Sequence, residues 1–264
     1  MLCAVNWLLS LKTAPPLLLD GVSIHPLVGH AFVDRTLDTL DSADVGDLVL
    51  LDVAATGLGR ARATIANLGD QPRLLLQGDE IQHGDDAFEL AAPLLLAPDG
   101  AARVELRRVL GGEAPSPRVQ QRLRRLEQFE LPLGTVGYLA IQGDELVRAE
   151  LFAGPLTCRH RWRWAVGSVL GQADVRQRPI LGAVAAKELL RRLTAACRSG
   201  SWVEEAASVW RLQVRDWPSL VGRVILAGGQ PVYLDLASLE GSLRVVPTEP
   251  LPVRPLAAAV ALDA

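Results

Sequence analysis

The stretch Gly78 to Asp86 (GDEIQHGDD) gathers Asp79, Glu80, His83, Asp85 and Asp86 within eight residues. Carboxylate oxygens and one imidazole are donors that a hard divalent ion accepts, and an ion held there could bind the diphosphate of a phosphate-containing ligand. The spacing follows no metal-loop template, the EF-hand included, so the competing reading is an acidic, solvated loop between strands. A carboxylate pair for acid/base hydrolysis fits less well, because neighbours such as Asp79 and Glu80 point to opposite faces of an extended segment.

A second group lies in Cys158 to Trp164 (CRHRWRW), where Arg159, Trp162 and Arg163 combine guanidinium and indole side chains. Such a set could stack on bases while pairing phosphates. On a helix, however, Cys158, Trp162, Val166 and Val169 make one apolar face with Arg159 and Arg163 beside it, so the bland reading is a core Trp and surface arginines with packed stems. Arg118, Arg122, Arg124 and Arg125 form another basic run, partly offset by Glu127 and Glu130. Cys158 and His160, two residues apart on a helix, diverge by about 200° and make no dyad. His25 and His30, on either side of Pro26, are expected in a loop. GxSxG, HExxH, P-loop and strand-to-helix GxGxxG signatures are missing, and the cofactor is left unknown.

The elements that must position these residues begin with a matched pair. Val136 to Ala153 (VGYLAIQGDELVRAELFA) and Val221 to Ser238 (VGRVILAGGQPVYLDLAS) align without a gap: Val-Gly opens both, Gly143 or Gly228 marks the turn, and an acid, Glu150 or Asp235, precedes Leu151 or Leu236. Each reads as a β-hairpin. Upstream, Val22 to Val28 reads as a short strand interrupted by Pro26 and Thr36 to Val45 as a brief helix. An antiparallel meander follows, with strands at Leu48 to Val53, Arg60 to Ala66, Pro72 to Gln77, Ala87 to Leu96 and Arg103 to Leu110. Ser116-Pro117 starts a helix, with Ser as N-cap and Pro at the first helical position. Helices are also expected over Pro155 to Leu170 and Ala183 to Arg198, the latter closed by Gly200.

Composition bounds the rest. A chain of 264 residues, 49% hydrophobic, can bury one large core or two smaller ones without staples. The net charge of −3 disfavours nucleic acid as a partner. Cys3, Cys158 and Cys197 are odd in number and far apart, which fits a reducing cytoplasm better than a disulfide framework. The apolar N-terminus has no basic residue ahead of its hydrophobic run and fails as a secretory peptide, and no segment reaches the roughly 18 apolar residues of a membrane span.

Three blocks resemble the ARPP-1 family, bacterial domains associated with ADP-ribosylglycohydrolase and rhodanese-phosphatase proteins. Asn67 to Gly84 is similar to its strand-turn-strand segment, Val136 to Leu170 to its hairpin and Pro-Xaa-Thr helix (Phe152, Pro155, Thr157, Arg159, Trp162 and Ser168 at matching positions), and Val221 to Ala237 to its final hairpin. Gly21 to Leu27 is similar to its opening strand. The chain departs from the pattern where a basic and amide stretch becomes Asp85, Asp86, Ala87 and Phe88, and where an Arg-Ser-Tyr element becomes Gly167, Ser168 and Val169.

The resulting expectation is an α+β fold: an antiparallel β-sheet or sandwich in the first half, packed with two hairpin-plus-helix units in the second. It assigns 1–20 to an N-terminal extension, 21–240 to a single ARPP-1-like domain (β-rich over 21–110, mixed hairpin and helix over 117–240) and 241–264 to a Pro/Ala-rich tail. The function expected is a cytoplasmic accessory protein that binds a ligand or a protein partner, or self-associates through hairpin edges, without a membrane. The resemblance sets it in an NAD/ADP-ribose or stress-response pathway. The alternative is a metal-assisted enzyme acting on an ADP-ribose-like or other phosphate-containing ligand through Asp79, Glu80, His83, Asp85 and Asp86.

Overall fold

The computed structural model describes residues 2–19, 21–30, 47–57, 59–109, 117–143, 145–172, 183–206, 208–238 and 254–255. The helix expected at Thr36 to Val45, Ser116 as N-cap, and most of the tail lie outside these residues. The chain divides into two compact units, Met1–Thr36 with Pro115–Pro247, and Leu37–Ala114 with Thr248–Ala264, where the sequence reading drew one domain over 21–240. Both are dominated by antiparallel sheet, with helices in the first, so the α+β class holds. No described helix is long and apolar enough to cross a membrane.

The first unit opens with α1 (Leu2–Leu9), β1 (Lys12–Thr13), β2 (Leu17–Leu19) and β3 (Val22–Val28). The segment read as an extension thus supplies Ala4, Val5, Trp7 and Leu8 to the core. His25 lies buried within β3, not in a loop, while His30 is exposed. Pro26 lies within β3 opposite Tyr138 of the later Thr135–Gln142 strand, and its carbonyl accepts Ala14 N at 2.9 Å.

The second unit holds β4 (Leu48–Gly57), β5 (Arg60–Asn67), β6 (Arg73–Leu75), β7 (Glu80–His83), β8 (Asp86–Leu90), β9 (Leu94–Leu96) and β10 (Gly100–Arg108). This is not the meander that strand order in sequence suggested. β10 inserts between β5 and β8, giving β4-β5-β10-β8-β7, and β6 pairs β9 separately. The stretch Ala87 to Leu96 is two strands, because the chain bends at Ala91-Ala92-Pro93, where proline removes a ladder donor. Ala61, Ala63, Ile65, Ile81, Phe88, Leu90, Val104 and Leu106 supply its core.

The first unit resumes with α2 (Pro117–Glu127), β11 (Thr135–Gln142), β12 (Glu145–Phe152), α3 (Pro155–Gln172), α4 (Ala183–Ser199), β13 (Ser201–Ala206), β14 (Val209–Gln213), β15 (Leu220–Ala227) and β16 (Gln230–Ser238). A two-residue strand, β17 (Arg254–Pro255), pairs β10 of the second unit. The first unit's sheet runs β1-β3-β11-β12-β16-β15-β14-β13, with β2 beside β3. Because side chains alternate across a strand, Leu139, Ala149, Leu151, Leu234 and Leu236 face α1 and α4, while Tyr138, Glu150 and Asp235 face the other way, toward α3. The β13–β14 hairpin (SWVEEA, VWRLQ) was missed in the sequence, although its Trp and Val content signals strand.

The paired segments are hairpins, β11–β12 and β15–β16, turning at Gly143 and Gly228, both with positive φ. β12 lies antiparallel to β16 with Glu150 opposite Asp235, so the two hairpins meet about a local two-fold through the acids that sequence alignment made equivalent. A register shift falls at the same place in each, between Ala140 and Ile141 and between Ile225 and Leu226. Self-association through these hairpin edges is closed: β11 is paired to β3 and β15 to β14.

Candidate functional site

The five donors of the acidic stretch occupy a β-hairpin, β7–β8, where a simple loop was expected. Asp79 is buried and its Oδ2 accepts Leu76 N at 2.9 Å, which makes it the clamp of a tight turn. Glu80 is exposed and takes Gln82 Nε2 at 2.9 Å; His83 and Asp85 are exposed at the hairpin tip, and Asp86 pairs with Arg108. Asp79 and Glu80 diverge as their adjacency requires. Among the described residues no group of three His, Cys, Asp or Glu side chains comes together as a metal site would need.

The α3 candidates do come together. Arg159 and Arg163 are exposed one turn apart, and Trp162 is 3% exposed, with Cys158, Val166 and Val169 buried beside it. Arg159, Trp162 and Arg163 line a cleft of about 480 Å³ whose other wall is the end of α2 and the segment after it, with Leu126, Glu127, Phe129, Glu130, Leu131 and Leu133. Phe129 stacks on Trp162 with centroids 6.0 Å apart at 20°. The cleft therefore offers an aromatic wall, two guanidinium groups suited to phosphate and two carboxylates that can accept from hydroxyls. Cys158 is not a nucleophile there, since burial, with the Glu150 charge added, holds its thiol far above the usual range.

Beneath Trp162 lies a polar network that the sequence reading passed over. Tyr138 meets Trp162 edge to face at 5.9 Å and 89°, and its hydroxyl donates to Glu150 Oε2 at 2.7 Å. Tyr233 donates to Glu150 Oε1 at 2.6 Å. Arg148 forks onto Asp235, Nε to Oδ1 at 2.8 Å and Nη2 to Oδ2 at 3.0 Å, and its Nη2 also reaches Glu150 Oε1 at 2.7 Å. Glu150, Tyr138 and Tyr233 are essentially sealed from solvent. Two facing carboxylates would repel, and Arg148 between them resolves this: burial alone would lower its pKa, but Asp235 and Glu150 raise it well above normal. The repeat is swapped at this point. Aligned on the acids, Tyr138 corresponds to Arg223 and Arg148 to Tyr233, so each hairpin contributes the same two residue types in exchanged places. An acid, a Tyr and an Arg within otherwise apolar hairpin arms was the available signal. With both Glu150 oxygens accepting from tyrosine hydroxyls, one of them also from Arg148, the network fastens two hairpins rather than moving protons.

Sealed acids on both faces of the first unit's sheet give a pH prediction. Burial, then the Glu150 charge, raises Tyr138 and Tyr233 well above 10, and burial pushes Cys197 up to about 12. An unfolded chain releases thiol protons near about pH 8.5 and phenol protons near about pH 10. Above those values the unfolded state binds fewer protons than the folded one, so stability is complete below about pH 8.5 and falls as pH rises toward 12. Urea midpoints measured from pH 8 to 11 should decline steadily; a flat profile would contradict this burial.

Comparisons of the chain with protein-family models, with curated proteins and with solved structures each return no match.

Proposed function

We propose that this protein acts by binding rather than by chemistry, as an accessory protein that takes a phosphate-bearing ligand with a planar ring in the cleft between α2 and α3. The observation that carries this is the convergence of Arg159, Trp162 and Arg163 on one cleft with Phe129 stacked beside the indole. A ring can extend that stack while the guanidinium groups take the phosphate. The network under Trp162 supports the same reading, because its catalytic-looking groups are already consumed by one another. The ARPP-1 resemblance adds the setting, an NAD/ADP-ribose or stress-response pathway in the cytoplasm. We also read the two hairpins as copies of one unit that, with the helices packed on them, carries the cleft.

The test is a thermal-shift titration with ADP, ADP-ribose, NAD and inorganic phosphate, each with and without Mg²⁺ or Mn²⁺, since a ligand bound only by the folded state raises its melting temperature. A saturable rise independent of metal and lost in Arg159→Glu/Arg163→Glu is expected. A rise that needs metal and disappears in Glu80→Gln/His83→Ala/Asp85→Asn would replace this reading with the metal-assisted enzyme. Asp79 is left unchanged because its carboxylate holds the turn.

A further inference from the structure

On the opposite side of the first unit's sheet, α1 packs against α4 and leaves a groove of about 570 Å³ between them. Its floor is leucine: Leu8, Leu11 and Leu190 are buried, and Leu9 stays 57% exposed beside them. Its rim is cationic. Lys12, Lys187, Arg191 and Arg198 line it, and among the described residues of the lining there is no acid; Arg191 is held by Glu188 at 2.6 Å, which leaves three cations with no carboxylate among the described lining residues. Lys12 and Lys187 are the only lysines in the whole chain, whose net charge is −3. An apolar floor with a one-sign rim is complementary to a segment with leucine-like anchors flanked by carboxylates.

The placement of charge selects the occupant. Lys187 and Arg198 stand at opposite ends of the α4 wall, about 16 Å apart at 1.5 Å per residue, or three helical turns. A fatty acid or other single-headed anion would engage one end only. A second copy of this chain docked through the same groove would bring cations against cations. A polynucleotide would leave the leucines uncovered. We infer that this groove is the docking site for an acidic amphipathic helix of a partner protein, about three turns long, its apolar face on Leu8, Leu9, Leu11 and Leu190 and its carboxylates on Lys12, Lys187 and Arg198. This rests on the chain being a binding protein and is independent of the α2–α3 cleft.

The probe is a displayed library of random peptides of about 16 residues, selected on the full chain and resynthesised. The expected winners are net acidic with apolar residues at i, i+3, i+4 and i+7. They bind less tightly as salt rises and lose at least tenfold in affinity against Lys187→Glu/Arg198→Glu and against Leu9→Glu, all with native circular dichroism. They bind Arg159→Glu/Arg163→Glu as well as wild type, which separates failure of the cleft reading from failure of this one. Neutral or basic winners, no enrichment, or affinity unchanged in both groove variants would overturn the inference. So would retention by phosphatidylserine vesicles that is lost in Lys187→Glu/Arg198→Glu and not competed by the peptides, which would assign the groove to a membrane surface.

Discussion

Glu150→Ala lowers the melting temperature of the first unit by about 6–20 °C. The carboxylate accepts from Tyr138, Tyr233 and Arg148 at 2.6–2.7 Å and is 1% exposed, so its removal leaves two buried hydroxyls without their acceptor and part of a guanidinium without its partner. Breaking a buried pair from one side costs about 3–5 kcal/mol, and each kcal/mol moves a unit of this size by roughly 2–4 °C. Glu150→Gln keeps one acceptor oxygen in the same volume and should lose about half as much. Differential scanning calorimetry of the three proteins decides it: equal stability of Glu150→Ala and wild type would mean that the acids do not fasten the hairpins. Because Tyr138 supports Trp162, a damaged network also loosens the floor of the α2–α3 cleft.

Gly137→Ala and Gly222→Ala are equivalent changes in the two hairpins, and they should differ sharply. Each glycine opens its hairpin after a Val or Val-like position and lies opposite the leucine that follows the repeat's acid, Gly137 across from Leu151 and Gly222 across from Leu236. A Cβ on Gly137 would meet the Glu150 carbonyl oxygen at 2.1 Å and Leu151 Cα at 3.0 Å, both backbone atoms in the middle of the sheet. A Cβ on Gly222 would meet mainly leucine side-chain ends, the nearest Leu236 Cδ2 at 2.6 Å, which can turn aside. Overpacking typically costs about 1–3 kcal/mol, so Gly222→Ala should fall in that range and Gly137→Ala at or above about 3 kcal/mol. Chemical denaturation of both variants checks the order, and a Gly222→Ala variant as damaged as Gly137→Ala would contradict it.

These two expectations show what the sequence carried. The hairpin alignment placed Gly137, Gly222, Glu150 and Asp235 in corresponding positions, and helices α3 and α4 were legible from their apolar spacing and, for α4, its closing glycine. Strand pairing was not legible, because β10 joins β5 and β8 across a long sequence separation and nothing local encodes which edge it takes. The N-terminal helix was missed for a related reason: α1 is apolar nearly all round, so it has no periodic stripe to read. Of the candidate residues, Arg159, Trp162 and Arg163 share a helix, where i, i+3 and i+4 spacing already implies proximity. Asp79 to Asp86 share a hairpin, where alternation sends neighbours apart. The Glu150 network needed the β12–β16 register, which only the fold supplies.

The most direct test of the binding reading is the indole region of a ¹⁵N NMR titration with ADP. The chain has six tryptophans, and Trp162→Phe assigns the one signal that matters. The Trp162 indole resonance is expected to move saturably as ADP is added and to stay still in Arg159→Glu/Arg163→Glu. An unmoved Trp162 signal at ADP concentrations that shift other residues, or no shift anywhere, would contradict it.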